Sequence, residues 1–253
     1  MVALLPALVL ALLPSSTVTP PLVVHVSVAL CDNDAQGIVP VPKALGNGRD
    51  PARNLYWGAR YGVRTHLLAS GWRRARVRTT PTPPTGVLER LVLERTIGSR
   101  RVVLVADAWD GRLIAETMAR YLRHAAGHDE ELLTLDDGAS LPIGGGADVS
   151  VYVGHDGLMD LEAPAITPPT TRRARSTITL ACKSAQYFGP LLAQTGATPL
   201  VTTYGLMAPE AYVLDAALIA HVRGEDPRAA AAQAYASYQK CGLRAARRLF
   251  GVR

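Results

Sequence analysis

Lysine is nearly missing from this chain. Of 27 basic residues only Lys43, Lys183 and Lys240 are lysines, so the net charge of +6 is an arginine charge. Genomic base composition produces such a skew without any functional demand. The arginine clusters Arg73-Arg74-Ala75-Arg76, Arg172-Arg173-Ala174-Arg175 and Arg244 to Arg253 could meet phosphate. With no zinc-finger spacing, aromatic RNA-binding signature or heptad pattern beside them, they read as solvated surface rather than a nucleic-acid interface. Cysteine is scarce too: Cys31, Cys182 and Cys241 exclude a disulfide framework, allow at most one bridge (Cys31 with Cys241 is available to an exported chain) and leave one thiol over. There is no internal repeat and no calcium-loop pattern.

Long apolar runs are equally rare. The uncharged stretch Met1–Leu13 is short for a spanning helix and gives way to Pro14-Ser15-Ser16-Thr17, so residues 1–17 read as a signal peptide, with an uncleaved anchor as the competing reading. The expectation is export to a periplasmic or extracellular compartment, with no membrane span once the leader is removed. The leader lacks the usual basic residues and an Ala-x-Ala site.

What is present, 48% hydrophobic residues over 253 positions, suits one buried core spanning residues 22–253. Leu22–Leu30 reads as a strand. Asp50 to Ser70 reads as a helix, with Asp50 as N-cap, Pro51 at its first position and Gly71 closing it. Trp72–Val77 reads as a short strand, Thr79–Gly86 as a proline-rich turn, and Leu88–Ile97 as either helix or strand. Arg101–Ala106 is a strand and Arg112–Ala126 an amphipathic helix. Gly144-Gly145-Gly146 precedes a strand rather than a helix, so it reads as a flexible entry and not a phosphate loop. Ser184–Thr195, Ala211–Arg223 and a segment from Asp226-Pro227 to Tyr238 read as helices, and Pro199–Thr203 as a strand. Strands alternating with helices imply a three-layer α/β domain, a mainly parallel sheet with helices on both faces.

Two apolar runs carry the chemistry. Val149–Gly154 leads into His155-Asp156-Gly157, and Ile178–Ala181 leads into Cys182. In a parallel sheet the carboxyl ends of the strands share one edge, where ligands bind, so an imidazole and a thiol meet there. Cys31, Asp32 and Asp34 follow the first strand and face the same edge. A zinc site drawing on Cys31, Asp32, Asp34, His155 and Cys182 is a third reading, but none of the five stands in a Cys-x-x-Cys or His-x-x-x-His pair.

Val151–Asp160 and Ile178–Ala211, followed by Gly224-Glu225-Asp226-Pro227-Arg228-Ala229-Ala230, resemble the caspase-like cysteine peptidases, the clan of caspases, clostripain-type enzymes, separases and bacterial CHAT domains. The resemblance runs from about Leu104 to Tyr238 and rests on the order strand-His, strand-Cys, helix, strand, helix. It implies a caspase-like fold and an endopeptidase with Cys182 as nucleophile and His155 as general acid/base, acting on a peptide or protein and needing no cofactor or metal. Backbone N–H groups near the nucleophile and after the histidine would hold the oxyanion. Here Asp156, not glycine, follows His155, and Gly157 comes one later. Asp156 either orients His155 or caps the next turn. Cys31, Asp32 and Asp34 fall where the family builds the pocket for the residue before the scissile bond, and two carboxylates there favour a basic one. Arg172, Arg173 and Arg175, between the two catalytic strands, would then be processing sites. The alternative is an inactive caspase-like module binding a peptide or partner in the same cleft. Asn54-Leu55-Tyr56-Trp57-Gly58 matches no feature of the family but is too distinctive for a generic linker.

Overall fold

In a computed structural model, which describes residues 19–169 and 173–253, the first strand is β1 (Leu22–Ala29). Its side chains alternate: Leu22, Val24, Val26 and Val28 join one apolar cluster, while Val23 and Ala29 enter two others on the opposite face. Both faces are therefore covered, the signature of a central parallel strand. The expected leader, residues 1–17, lies outside the described residues. Among the described residues no helix is long and apolar enough to cross a membrane.

The chain continues through α1 (Val63–Ala69), β2 (Arg73–Arg74), β3 (Val77–Thr79), β4 (Val87–Ile97), β5 (Arg100–Trp109), α2 (Ile114–Ala125), β6 (Glu131–Leu135), β7 (Ser140–Ile143), β8 (Val149–Val153) and β9 (Ser176–Leu180). It ends with α3 (Ser184–Tyr187), α4 (Gly189–Thr195), β10 (Thr198–Val201), α5 (Ala211–Arg223), α6 (Pro227–Gln239) and α7 (Leu243–Leu249). The main sheet has the order β10-β9-β8-β1-β5-β4-β2, and β3-β6-β7 form a small second sheet. β10, β9, β8, β1 and β5 run parallel, and β4 runs antiparallel to β5. Helix α2, with Ile114, Met118, Tyr121 and Leu122, packs with Phe188 and Leu192 on one face. Tyr212, Leu214, Leu218, Ala231 and Phe250 cover the other. The expected α/β sheet with helices on both faces is present.

Among the parallel strands the order reverses beside β1: β5 lies to one side, β8, β9 and β10 to the other. Such a reversal opens a crevice beyond the carboxyl ends of β1 and β8, because their following connections depart toward opposite faces.

Several segments depart from the sequence reading. The helix expected over Asp50 to Ser70 is turns up to Gly62 and helical only as α1. Asn54 is the cause: its side chain accepts from Cys31 N and Tyr56 N and donates to Cys31 O and Asn47 O, which ties this stretch to the end of β1. Gly58 and Gly62 then permit backbone approaches that any Cβ would block, at 2.1 Å from Ala52 O and 2.5 Å from Trp57 C. Trp72–Val77 divides between the two sheets as β2 and β3. Leu88–Ile97 resolves as strand. The helix expected over Ser184–Thr195 breaks at Phe188, since Pro190 in the first turn of α4 has no N–H to continue α3. The glycine triplet is not a flexible entry: all three residues are buried, and Gly144 N donates to His25 Nδ1 at 2.9 Å.

Candidate active site

The β8–β9 ladder places the two expected catalytic residues. Val153 pairs with Leu180, so His155 and Cys182 each lie two residues past a registered pair on adjacent parallel strands. Adjacent strands are about 4.8 Å apart, which brings the two backbones together at one edge. Beyond β9 the chain turns sharply: Lys183 is left-handed at φ 49°, and three successive amides lock the turn, Lys183 N to Gly205 O, Ser184 N to Thr203 Oγ1 and Ala185 N to Thr203 O.

Cys182 is half-buried, and its thiol sits against the loop after β10, with Sγ accepting from Met207 N at 3.4 Å and donating to Met207 O at 3.5 Å. His155, also half-buried, places Nε2 at 3.4 Å from Asp160 Oδ2. Among the described residues these are the only side-chain hydrogen bonds of the two groups, and they do not bond each other. Asp160 was not singled out from the sequence. It stands five residues on from His155 in a loop without periodicity, where only the short turn between them could have signalled it.

Asp156 has turned inward. It is fully buried, and its Oδ1 caps the turn Gly157–Met159 by accepting from Leu158 N at 3.1 Å. Its other oxygen has no hydrogen-bond partner among the described residues. Burial pushes this carboxyl up to about 7, with the Leu158 N–H working the other way and Asp160 adding repulsion. Of the two expected roles it takes the cap. Gly157 donates its N–H to His155 O at 3.1 Å and is packed so closely that a Cβ would lie 2.8 Å from Met118 Cε. Its amide is therefore spent. The N–H groups of Asp156 and Cys182 have no acceptor among the described residues.

Cys31 is fully buried and pushed up to about 11 by its burial, so it stays a neutral thiol, with the Tyr56 hydroxyl beside it. Tyr56 is itself buried and held far above the ordinary phenol range, by burial first and then by the thiols of Cys31 and Cys182. The distinctive Asn54–Gly58 stretch thus supplies the floor between two strand ends: Asn54 holds Cys31, Tyr56 lies near both cysteines, and Trp57 donates Nε1 to Glu89. All three cysteines are free thiols, so the Cys31–Cys241 bridge is not formed.

Asp32 is buried, and its Oδ1 accepts from Asp34 N and Ala35 N. Asp32, Asp34 and Lys43 line a cavity of about 410 Å³, separate from a smaller one of about 110 Å³ that contains His155 and Asp160. The structure therefore brings His155 and Cys182 to one edge but sets the two early carboxylates apart. Among the described residues no three His, Cys, Asp or Glu side chains converge in a metal-holding group. Of the expected processing arginines, Arg172 lies outside the described residues, Arg173 reaches Asp148 and Gly146 O, and Arg175 is buried with Nε donating to Ala125 O. In comparisons with known proteins, no family model, no curated protein and no solved structure matches the chain.

Proposed function

We propose that this chain is a caspase-like cysteine endopeptidase in which Cys182 attacks the peptide carbonyl and His155 shuttles the proton. The register of β8 on β9 carries the reading, because it sets an imidazole and a thiol at equivalent positions on neighbouring strand ends. Cys182 Sγ loses its proton to His155 and bonds the carbonyl carbon. The C–N bond then breaks as His155 gives that proton to the leaving nitrogen, and water hydrolyses the thioester. The unpaired N–H groups of Cys182 and Asp156 are the donors that would hold the oxyanion. Asp156 is compatible with this, since its buried side chain does not stand in the way of a substrate where the family has glycine. The basic preference expected from Asp32 and Asp34 finds no support in this geometry, since their cavity is separate from the one at His155 and Lys43 in it offsets part of their charge.

A non-catalytic module that binds a peptide in this cleft is the second reading. It is favoured by the resting contacts, which commit the thiol to Met207 and the imidazole to Asp160. Peptide hydrolysis separates the two. The endopeptidase predicts turnover that Cys182→Ala and His155→Ala each reduce by roughly 10³-fold or more, together with labelling of Cys182 by a thiol-reactive peptide electrophile. Turnover retained in Cys182→Ala, or a probe that ignores Cys182, would sink it.

A further inference from the structure

The small cavity of about 110 Å³ next to His155 has no part in the chemistry just described. It lies in the crevice where the strand order reverses, between the loop after β1 and the turn after β8. Ala35, Gly37, Ile114 and Leu161 contribute its wall, with His155 and Asp160 at one side. The remaining polar liner, Gln36, has nothing to offer a ligand: Nε2 donates to Leu30 O and Gly111 O, and Oε1 accepts from Asp32 N. His155 and Asp160 hydrogen-bond each other. Away from the His155–Asp160 side, the lining is apolar.

Its position fixes which part of a substrate can reach it. During acyl transfer the carbonyl half of the peptide stays bonded to Cys182, on the Met207 side. The amine half departs over His155, from which its nitrogen takes a proton. A cavity that contains His155 but not Cys182 therefore lies along the path of the leaving half. Its volume falls short of the ~150 Å³ that encloses a benzene ring. It thus suits a small or branched aliphatic side chain better than an aromatic one.

We propose that this cavity is the subsite for the residue immediately after the scissile bond, and that it selects a small aliphatic side chain. The assignment rests on the endopeptidase reading above.

A peptide library digested by the full chain, with the new amino termini sequenced by mass spectrometry, tests it. The wild type should cut before Ala, Val, Ile or Leu at least roughly tenfold more often than before Phe or Trp, the scale on which the size of a side chain is discriminated. Ile114→Ala should admit Phe. Because Ile114 is buried in the core, Ala35→Leu, at an exposed position, provides the independent arm and should narrow the choice to Gly and Ala. Cuts without preference at that position, or a preference that neither variant moves, would overturn the subsite and leave the nucleophile standing. A shift in the residue before the scissile bond instead would overturn its assignment to the leaving half. Wild-type digests indistinguishable from those of Cys182→Ala would overturn the endopeptidase reading, and the subsite with it.

Discussion

Two histidine–aspartate pairs sit on the same sheet, and they differ in nearly every physical respect. His25 and Asp107 face each other across β1 and β5, each 2% exposed, at 3.1 Å. Asp107 also takes two hydrogen bonds from Arg90, at 2.7 and 2.8 Å. Because His25 Nδ1 accepts from Gly144 N, its proton must sit on Nε2 and point at Asp107, so the ring is fixed as one neutral tautomer. Burial works to raise Asp107, but hydrogen bonds from Arg90 and His25 outweigh it and hold the carboxyl well below its ordinary range. His155 and Asp160 stand at the sheet edge, at 3.4 Å, with the Asp160 side chain 62% exposed. Every polar side-chain atom of the first pair is hydrogen-bonded and buried, which fits it to support structure. The second pair has open positions, and open positions are what a substrate needs.

Breaking the sealed pair should have the largest effect. Asp107→Ala leaves the Arg90 guanidinium, 6% exposed, with only Pro81 O and the longer 3.7 Å contact to Glu131, and is expected to cost about 3–5 kcal/mol in urea unfolding. Asp160→Ala should stay within ~0.5 kcal/mol in the same measurement. Equal losses would erase the distinction between the pairs.

Asp156 sharpens it next. Its folded pKa of about 7 exceeds the ~3.9 of an unfolded chain, so the folded protein holds the extra proton between those values. The Asp156 contribution to stability therefore declines as pH rises from about 4 to about 7 and is level above. Asp156→Asn removes that loss and should gain roughly 2–4 kcal/mol at pH 8, and almost nothing at pH 4. A variant no more stable than wild type at pH 8 would show that the carboxyl is ionised without penalty.

His124 works in the opposite sense. Its ring packs edge-on against His25, with centroids 4.7 Å apart, and burial above all holds it well below 6.5. The unfolded chain takes up a proton near 6.5 that the folded chain refuses, so this group withdraws stability as pH falls below about 6.5. Its slope opposes that of Asp156 between about 4 and 6.5. Asp156→Asn should consequently unmask a loss of ~1–2 kcal/mol on going from pH 7 to pH 5.5 in thermal melts. A flat profile in that variant would contradict the buried neutral His124.

The smallest effect belongs to the open pair. An exposed ion pair is worth about 0.2–1 kcal/mol, so Asp160→Asn should lower kcat/KM by no more than roughly fivefold. A loss of a thousandfold would make Asp160 an essential partner of the imidazole.

The strand ends bearing His155 and Cys182 were legible because β-branched runs declare buried parallel strands, and shared edges follow from parallel order. The closing helix α5 was equally plain, with Gly224 at φ 73° ending it where a left-handed residue was expected. What stayed hidden depends on distant partners. The hairpin β6–β7 is short and acquires its meaning only by packing Leu133 and Ile143 against Val103 and Val105. Tyr56 belongs to the site because Asn54 ties its loop to β1, and no local pattern announces a bond 23 residues long. Met207 meets the thiol through backbone atoms, which the side-chain alphabet does not record. Asp156 drew notice for standing where a glycine was expected, but its inward orientation follows from the packing around it.

Gly157 gives the site a mechanical address. With Met118 and Ile114 of α2 filling the volume where its side chain would be, the turn that carries His155 rests directly on a core helix. The imidazole is thus levered from beneath. Truncating Met118, far from any reacting atom, would let the turn settle into the vacated space and draw His155 away from the edge it shares with Cys182. Tolerance of the core to mutation and precision of the edge are one property here.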